Sequence, residues 1–216
     1  YPEFIARFPN FSSLATATLS EIYSVWSGMG YNRRALALKK IAELVIQEHK
    51  GLLPHNPMLL EKFPGIGKAT AASICAFAFN APTVFIETNI RTVFLHFFFS
   101  NKTAIPDHKL IPLVQATLNT KNPRLWYFAL MDYGAFLKSK FPNPSRASLS
   151  HRPQSKFKGS MREVRGTILI MLSKKPMTRA SLKKESGFPK ETIAKGVIDL
   201  IRDGLVTRSG QILRIP

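Results

Sequence analysis

Residues 63–96 read FPGIGKATAASICAFAFNAPTVFIETNIRTVFLH, and this stretch carries the strongest indication of the fold. Gly65 and Gly67 allow a tight backbone turn, and the small residues 68–72 that follow favour a helix. The pattern predicts a hairpin between two helices, with free amides at the second helix start that can hold a phosphate. Lys68 adds a cation at that point. On these residues alone, a tight turn without a ligand is the alternative.

An acidic residue follows the hairpin inside an otherwise apolar segment. Glu87 comes directly after Val84, Phe85 and Ile86. A carboxylate beside an apolar run is costly unless it is paired, so Glu87 is a candidate functional residue. A Glu87 side chain that faces solvent or pairs with Arg91 is the structural alternative.

The composition indicates a polyanionic partner. The 216 residues include 31 Lys plus Arg against 13 Asp plus Glu, a formal net charge of +18. Such an excess is the electrostatic footprint of a nucleic-acid binder. A merely soluble basic protein and a protein bound to an anionic membrane are the alternatives. Because no apolar run is long enough for a membrane span and no secretory segment opens the chain, we expect a cytoplasmic protein without a membrane partner, associated with the nucleoid if it is bacterial. We also expect the protein to be a monomer.

Two further motifs flank the hairpin. Residues 26–35 read WSGMGYNRRA, and residues 130–135 read LMDYGA. Together with the hairpin, these motifs resemble the helix-hairpin-helix (HhH-GPD) base-excision DNA glycosylases, and among them the MutY-type adenine glycosylases. The three motifs occur in the order of that family across roughly residues 1–140.

The resemblance and the helical patterns together predict a mainly α fold. Residues 1–137 are expected to form the HhH-GPD glycosylase domain, with its first helices missing from the sequence, and residues 138–160 a basic linker without an apolar face. Residues 161–216 show three amphipathic helical segments and then LVTRSGQILRI, which alternates around a Ser-Gly turn. This order predicts a small winged helix-turn-helix domain with a β-hairpin wing.

The resemblance implies a DNA N-glycosylase, an enzyme that hydrolyses the N-glycosidic bond of a mispaired base in double-stranded DNA. Adenine opposite 8-oxoguanine or guanine is the expected substrate. Glu87 occupies the position of the family's catalytic aspartate, and Asn89 matches an asparagine that would orient the carboxylate or a phosphate. Ala69 stands where bifunctional relatives carry a Schiff-base lysine, so the enzyme is expected to be monofunctional. The family's general acid is expected in the missing N-terminal segment.

The predicted DNA contacts lie in three parts of the chain. Tyr31 aligns with a tyrosine that enters the DNA stack, and a core aromatic is its alternative. The winged helix could supply general DNA affinity or dock a protein. The predicted DNA-binding residues are Tyr31, Arg33, Gly65, Ile66, Gly67, Lys68, Ala69, Thr70, Lys190, Lys195 and Arg208.

No cofactor is expected. Most relatives carry four cysteines soon after the M-D-x-G-A element, where they ligate an iron–sulfur cluster, whereas Cys75 is the single cysteine of this chain. The five histidines lack zinc-site spacing, so we assign no transition metal. The resemblance suggests an alkali cation at the hairpin carbonyls of Phe63 and Ile66.

Two other functions fit the same sequence. One is a thymine or uracil mismatch glycosylase on the same scaffold. The other is a non-catalytic DNA-binding or damage-sensing protein, suggested by glutamate in place of the usual aspartate and by the winged helix.

Overall fold

The computed structural model describes residues 1–26, 28–100 and 102–216, and it is mainly helical, as predicted. The chain forms two compact units: unit 1 comprises Tyr1–Leu53 and Gln154–Pro216, and unit 2 comprises Pro54–Pro153. No helix of the described residues is long and apolar enough to cross a membrane.

The elements follow one another in this order: α1 Pro2–Arg7, α2 Phe11–Thr16, α3 Leu19–Val25, α4 Arg33–Glu48, α5 Pro57–Leu60, α6 Lys68–Phe79, α7 Thr88–Phe98, α8 Asp107–Thr117, α9 Pro123–Lys140, a 3-10 turn at Pro144–Ala147, α10 Met161–Lys174, β1 Met177–Thr178, α11 Arg179–Ser186, α12 Lys190–Arg202, β2 Thr207–Ser209 and β3 Ile212–Arg214.

Local sequence signals explain where several helices begin. Asn10 and Ser13 form a capping box at the start of α2, and Thr18 and Glu21 form another at α3. Thr178 caps α11 by accepting a hydrogen bond from the Ser181 amide. These caps satisfy backbone amides that have no partner inside the helix.

The C-terminal part of unit 1 has the order helix, strand, helix, helix and β-hairpin. Its three strands form one antiparallel sheet in the order β1-β3-β2, and Arg208 of β2 lies opposite Leu213 of β3. Gly196 of α12 lies against α10, where a Cβ atom would come within 2.9 Å of the Ile168 side chain. The arrangement agrees with the predicted winged helix and its hairpin wing.

The core of unit 1 joins the two ends of the chain, which differs from the predicted succession of separate domains. Ile22 and Tyr23 of α3 share one buried cluster with Val164 and Ile168 of α10. Each helix therefore covers the apolar face of the other. Arg165 also forms an ion pair with Asp203 inside the C-terminal segment.

Unit 2 contains the hairpin helices α5 and α6 and a second core around α7 and α9. The predicted basic linker, residues 138–160, is largely part of these units. Helix α9 continues to Lys140, and the Ile105 backbone bonds to Ala147 and Leu149, with N–O distances of 2.9 Å in both cases. Ser145 and Ser148 are buried, so this part of the predicted linker is packed inside unit 2.

Candidate active site

The hairpin between α5 and α6 depends on a glycine in the left-handed region. Gly65 has φ of +77°, a conformation that other L-residues rarely adopt. The Ile66 amide closes the turn by donating to the Phe63 carbonyl at 3.2 Å, and Phe63 is buried beneath it. The turn forms as the sequence predicted, and an alkali cation at these carbonyls stays a prediction.

The start of α6 is open on its outer side. Gly67 is the N-cap and forms no side-chain cap, and a Cβ atom at this residue would meet nothing within 4 Å among the described residues. Lys68, Ala69 and Thr70 are exposed. Their amides belong to the first turn, where no intrahelical acceptor exists, so these donors can bind an anion. Phosphate binding at this turn stays a prediction.

A buried tyrosine ties the segment before Glu87 to the hairpin helix. The Thr83 hydroxyl donates to the Ala72 carbonyl of α6 at 2.6 Å, and the Tyr127 hydroxyl of α9 donates to the Thr83 carbonyl at 2.8 Å. The Phe85 amide in turn donates to the Tyr127 oxygen at 3.4 Å. Burial raises the pKa of Tyr127, so its phenol keeps the proton that this bond uses. These hydrogen bonds therefore fix the backbone of the segment that leads to Glu87.

Glu87 is the N-cap of α7. Its Oε1 atom accepts hydrogen bonds from the amides of Asn89 at 2.6 Å and Ile90 at 2.8 Å. The described part of the chain provides no donor to Oε2. The predicted alternative of a pair with Arg91 does not hold, since Arg91 makes a bidentate pair with Asp107 at 2.8 and 2.7 Å. The carboxylate is thus fixed through one oxygen and presents the other.

Lys138 completes the site, although it was not among the predicted site residues. Its Nζ atom donates to Oδ1 of Asn89 at 2.7 Å. Burial lowers the pKa of Lys138, the Glu87 carboxylate opposes that shift, and the Arg91 guanidinium adds to it. Lys138 lies four residues after Gly134 of the M-D-x-G-A element, on the same helical face. This four-residue spacing was the sequence signal that could have identified Lys138 as a site residue.

Gly134 brings α9 into direct contact with the start of α7. It is buried, and a Cβ atom here would lie 2.7 Å from the carbonyl carbon and 2.8 Å from the Cα atom of Asn89, and closer still to its carbonyl oxygen. No side chain fits in that space. The glycine therefore sets the distance between α9 and the Glu87 turn.

Tyr31 lies in unit 1 on a loop with unusual backbone angles. It is 68% exposed with φ of +50°, and Gly28 and Gly30, which precede it in the loop, also have positive φ. The Trp26 indole donates to the Gly30 carbonyl at 3.1 Å, and the Arg34 guanidinium lies 5.2 Å from the Tyr31 ring centroid. The core-aromatic alternative is therefore wrong. Ser27 of the motif at residues 26–35 lies outside the described residues.

The other predicted DNA contacts are all on the surface of unit 1. Arg33 is the exposed first residue of α4. Lys190 and Lys195 are exposed on α12, and Arg208 is exposed on β2, where its Nε atom donates to the Gly210 carbonyl at 2.7 Å. Their roles in binding stay predictions.

The residues do not fit an iron–sulfur cluster. Cys75 is buried in α6, where its Sγ atom donates to the His55 carbonyl at 3.2 Å, and burial raises its pKa. One buried thiol cannot replace four thiolate ligands. Within residues 1–26, 28–100 and 102–216, no group of three or more His, Cys, Asp or Glu side chains could hold a metal ion.

Residues 1–112 match the family model of the HhH-GPD superfamily base excision DNA repair proteins. This match covers more than half of the chain, and the chain belongs to that superfamily.

Individual relatives agree with this assignment, and a solved structure shares the fold. The chain is 33% identical to an adenine DNA glycosylase of Buchnera aphidicola over 141 residues, which are 63% of this chain and 39% of that protein. It is 29% identical to an adenine DNA glycosylase of Mycolicibacterium smegmatis over 224 residues, 95% of this chain and 76% of that protein. A thermostable thymine-DNA glycosylase shares the fold with a TM-score of 0.55 at 23% identity, covering 69% of this chain and 71% of that one.

Proposed function

We propose that this protein is a monofunctional DNA glycosylase that hydrolyses the N-glycosidic bond of adenine mispaired with 8-oxoguanine or guanine. The observation that carries the proposal is the Glu87 carboxylate, which is fixed through Oε1 and open at Oε2. It follows the Gly-x-Gly hairpin in the same unit, in the order that the resemblance to the HhH-GPD glycosylases implies.

The chemistry needs a negative charge beside the sugar. When the bond between C1′ and the base breaks, the sugar gains oxocarbenium character, and a nearby carboxylate stabilises that cation or guides the attacking water. Glu87 Oε2 is suited to either role. Water supplies a hydroxyl to C1′, and the base leaves with a proton. Because Ala69 has no amine, we expect no Schiff base at that residue.

We assign DNA binding to exposed Lys and Arg side chains and to the backbone amides at the start of α6. The first-turn amides of α6 and Lys68 would hold one phosphate, and the winged helix would add contacts through Lys190, Lys195 and Arg208. A net charge of +18 favours such a partner. We propose that the protein acts as a monomer on double-stranded DNA.

Tyr31→Ala tests the proposed insertion into the base stack. Because Tyr31 is 68% exposed, the substitution should leave the unfolding free energy within about 0.5 kcal/mol of the wild type. Loss of stacking should weaken binding to mismatched duplex by about 1–3 kcal/mol. Fluorescence anisotropy titrations give the affinities. Tyr1→Ala, which removes another exposed tyrosine of unit 1, is the control, and equal affinities for both variants would contradict the role of Tyr31.

The choice of adenine as substrate is supported by relatives named adenine DNA glycosylase at 27–33% identity. The test is single-turnover base release by the full-length protein on duplexes that hold adenine opposite 8-oxoguanine, adenine opposite guanine, thymine opposite guanine or uracil opposite guanine. Alkali converts each abasic site to a strand break. Preferential release from the first two duplexes is expected. Release from the last two alone would assign a thymine or uracil mismatch glycosylase instead.

A non-catalytic DNA-binding protein is the second candidate function. It is favoured by one observation: capping of α7 is by itself a structural reason for an acid at Glu87. Tight binding to all four duplexes without release from any of them would support this candidate.

A further inference from the structure

The contact between Lys138 and Asn89 fixes which way an amide faces. A lysine ammonium has three donors and no acceptor, so only the oxygen of the Asn89 carboxamide can face it. The 2.7 Å bond to Oδ1 leaves the two Nδ2 donors directed elsewhere. Among the described residues, Nδ2 has no hydrogen-bond acceptor.

We propose that Lys138 is a positioning residue that fixes the orientation of the Asn89 carboxamide, so that its Nδ2 donors face an oxygen of the bound nucleotide, a phosphate or sugar oxygen. This inference rests on the proposed glycosylase function. Asn89 and Glu87 sit at the same helix start, and the Asn89 amide already donates to Glu87 Oε1. A substrate oxygen bound at Nδ2 would therefore be held close to the carboxylate.

Helix α9 makes this orientation rigid. Gly134 and Lys138 lie one helical turn apart and contact the backbone and the side chain of Asn89, respectively. Leu137 between them is 1% exposed and anchors this face of α9. The Asn89 turn is thus held at two points, and its side chain has little freedom left to lose when DNA binds.

The charges around Lys138 have opposing effects on its protonation. Glu87 favours the ammonium form of Lys138, whereas burial and Arg91 disfavour it, and Asp107 neutralises Arg91. Because the pKa of Lys138 is below its usual value, the ammonium should lose its proton as the pH rises through that lowered pKa. A neutral amine can accept as well as donate, so the orientation of Asn89 is then no longer enforced.

The test compares Lys138→Met with Lys138→Arg and with Lys140→Met, which removes an exposed charge from the same helix end. Lys138→Met should lower single-turnover adenine release roughly 10- to 100-fold, whereas duplex affinity should stay close to that of the wild type because the other phosphate contacts remain. Lys140→Met should release adenine at the wild-type rate. The wild-type rate should fall at alkaline pH, and Lys138→Arg should release adenine with that alkaline limb moved to higher pH, because arginine stays protonated.

Three results would overturn the inference. The first is wild-type release by Lys138→Met. The second concerns the double variant Lys138→Met/Asn89→Leu. If its rate of base release falls by the product of the two single-variant factors, the residues act independently, and Lys138 does not act through Asn89. The third is a borohydride-trapped DNA adduct that forms with the wild type and is absent from Lys138→Met, because it would make the lysine amine a nucleophile.

The positioning role of Lys138 can be tested independently of the glycosylase activity. If the wild type releases no base, the glycosylase proposal is overturned. The side-chain amide signals of Asn89 in an NMR spectrum then decide on the positioning role. A shift in Lys138→Met and none in Lys140→Met would support it, and unchanged signals in both variants would overturn it.

Discussion

Replacing Glu87 by glutamine is expected to slow single-turnover base release by about 10²- to 10³-fold, because the charge that stabilises the sugar cation is removed. The variant should still fold, since the glutamine carbonyl oxygen can accept the two amide hydrogen bonds that Glu87 Oε1 now accepts from Asn89 and Ile90. Duplex affinity should stay close to that of the wild type.

Two other substitutions of Glu87 separate its charge from its capping role. Glu87→Asp keeps both a carboxylate and a good N-cap, so it should retain measurable release. Glu87→Ala loses both and should also cost about 1 kcal/mol of unfolding free energy. Base release by Glu87→Gln at the wild-type rate would show that the carboxylate of Glu87 is not catalytic.

Gly134→Ala is expected to lower the unfolding free energy by about 1–3 kcal/mol, the usual cost of forcing a group into a filled site. The added Cβ atom would lie 2.8 Å from the Asn89 Cα atom, so α9 must move away from α7. The rate of base release should also fall, because the same movement displaces Asn89 and the Glu87 turn. Urea unfolding and single-turnover release measure the two effects.

Gly166→Ala is the matched control for this substitution. Gly166 lies inside α10, and a Cβ atom added to it would meet nothing within 4 Å among the described residues. Alanine should therefore raise the unfolding free energy by about 0.5–1 kcal/mol, because it favours the helix more than glycine does. If Gly134→Ala is as stable as the wild type, α9 does not set the position of the Asn89 turn.

Features that depend on neighbouring residues were predictable from the sequence. The glycine turn at Gly65, the start of α6 and the hairpin wing each arise from signals within a few residues. The apolar run in Thr88–Phe98 suits a strand as well as a helix, so its pattern alone does not predict the helix that forms there.

Features that depend on distant contacts were not predictable from the sequence. Helices α3 and α10 bury each other although more than a hundred residues separate them, so the sequence suggested separate domains. The partner of Lys138 is 49 residues away in the chain, and the lysine stood in a segment interpreted as a basic linker. No local pattern encodes which surfaces meet.

The most direct measurement of the central claim is the amount of free adenine released from a duplex with adenine opposite 8-oxoguanine, determined by mass spectrometry with the full-length protein in excess. We expect one free adenine for each abasic site that alkali reveals, because hydrolysis of the N-glycosidic bond produces both together. Duplex that is bound tightly, with its adenine still attached, would contradict the assignment of this site to base excision.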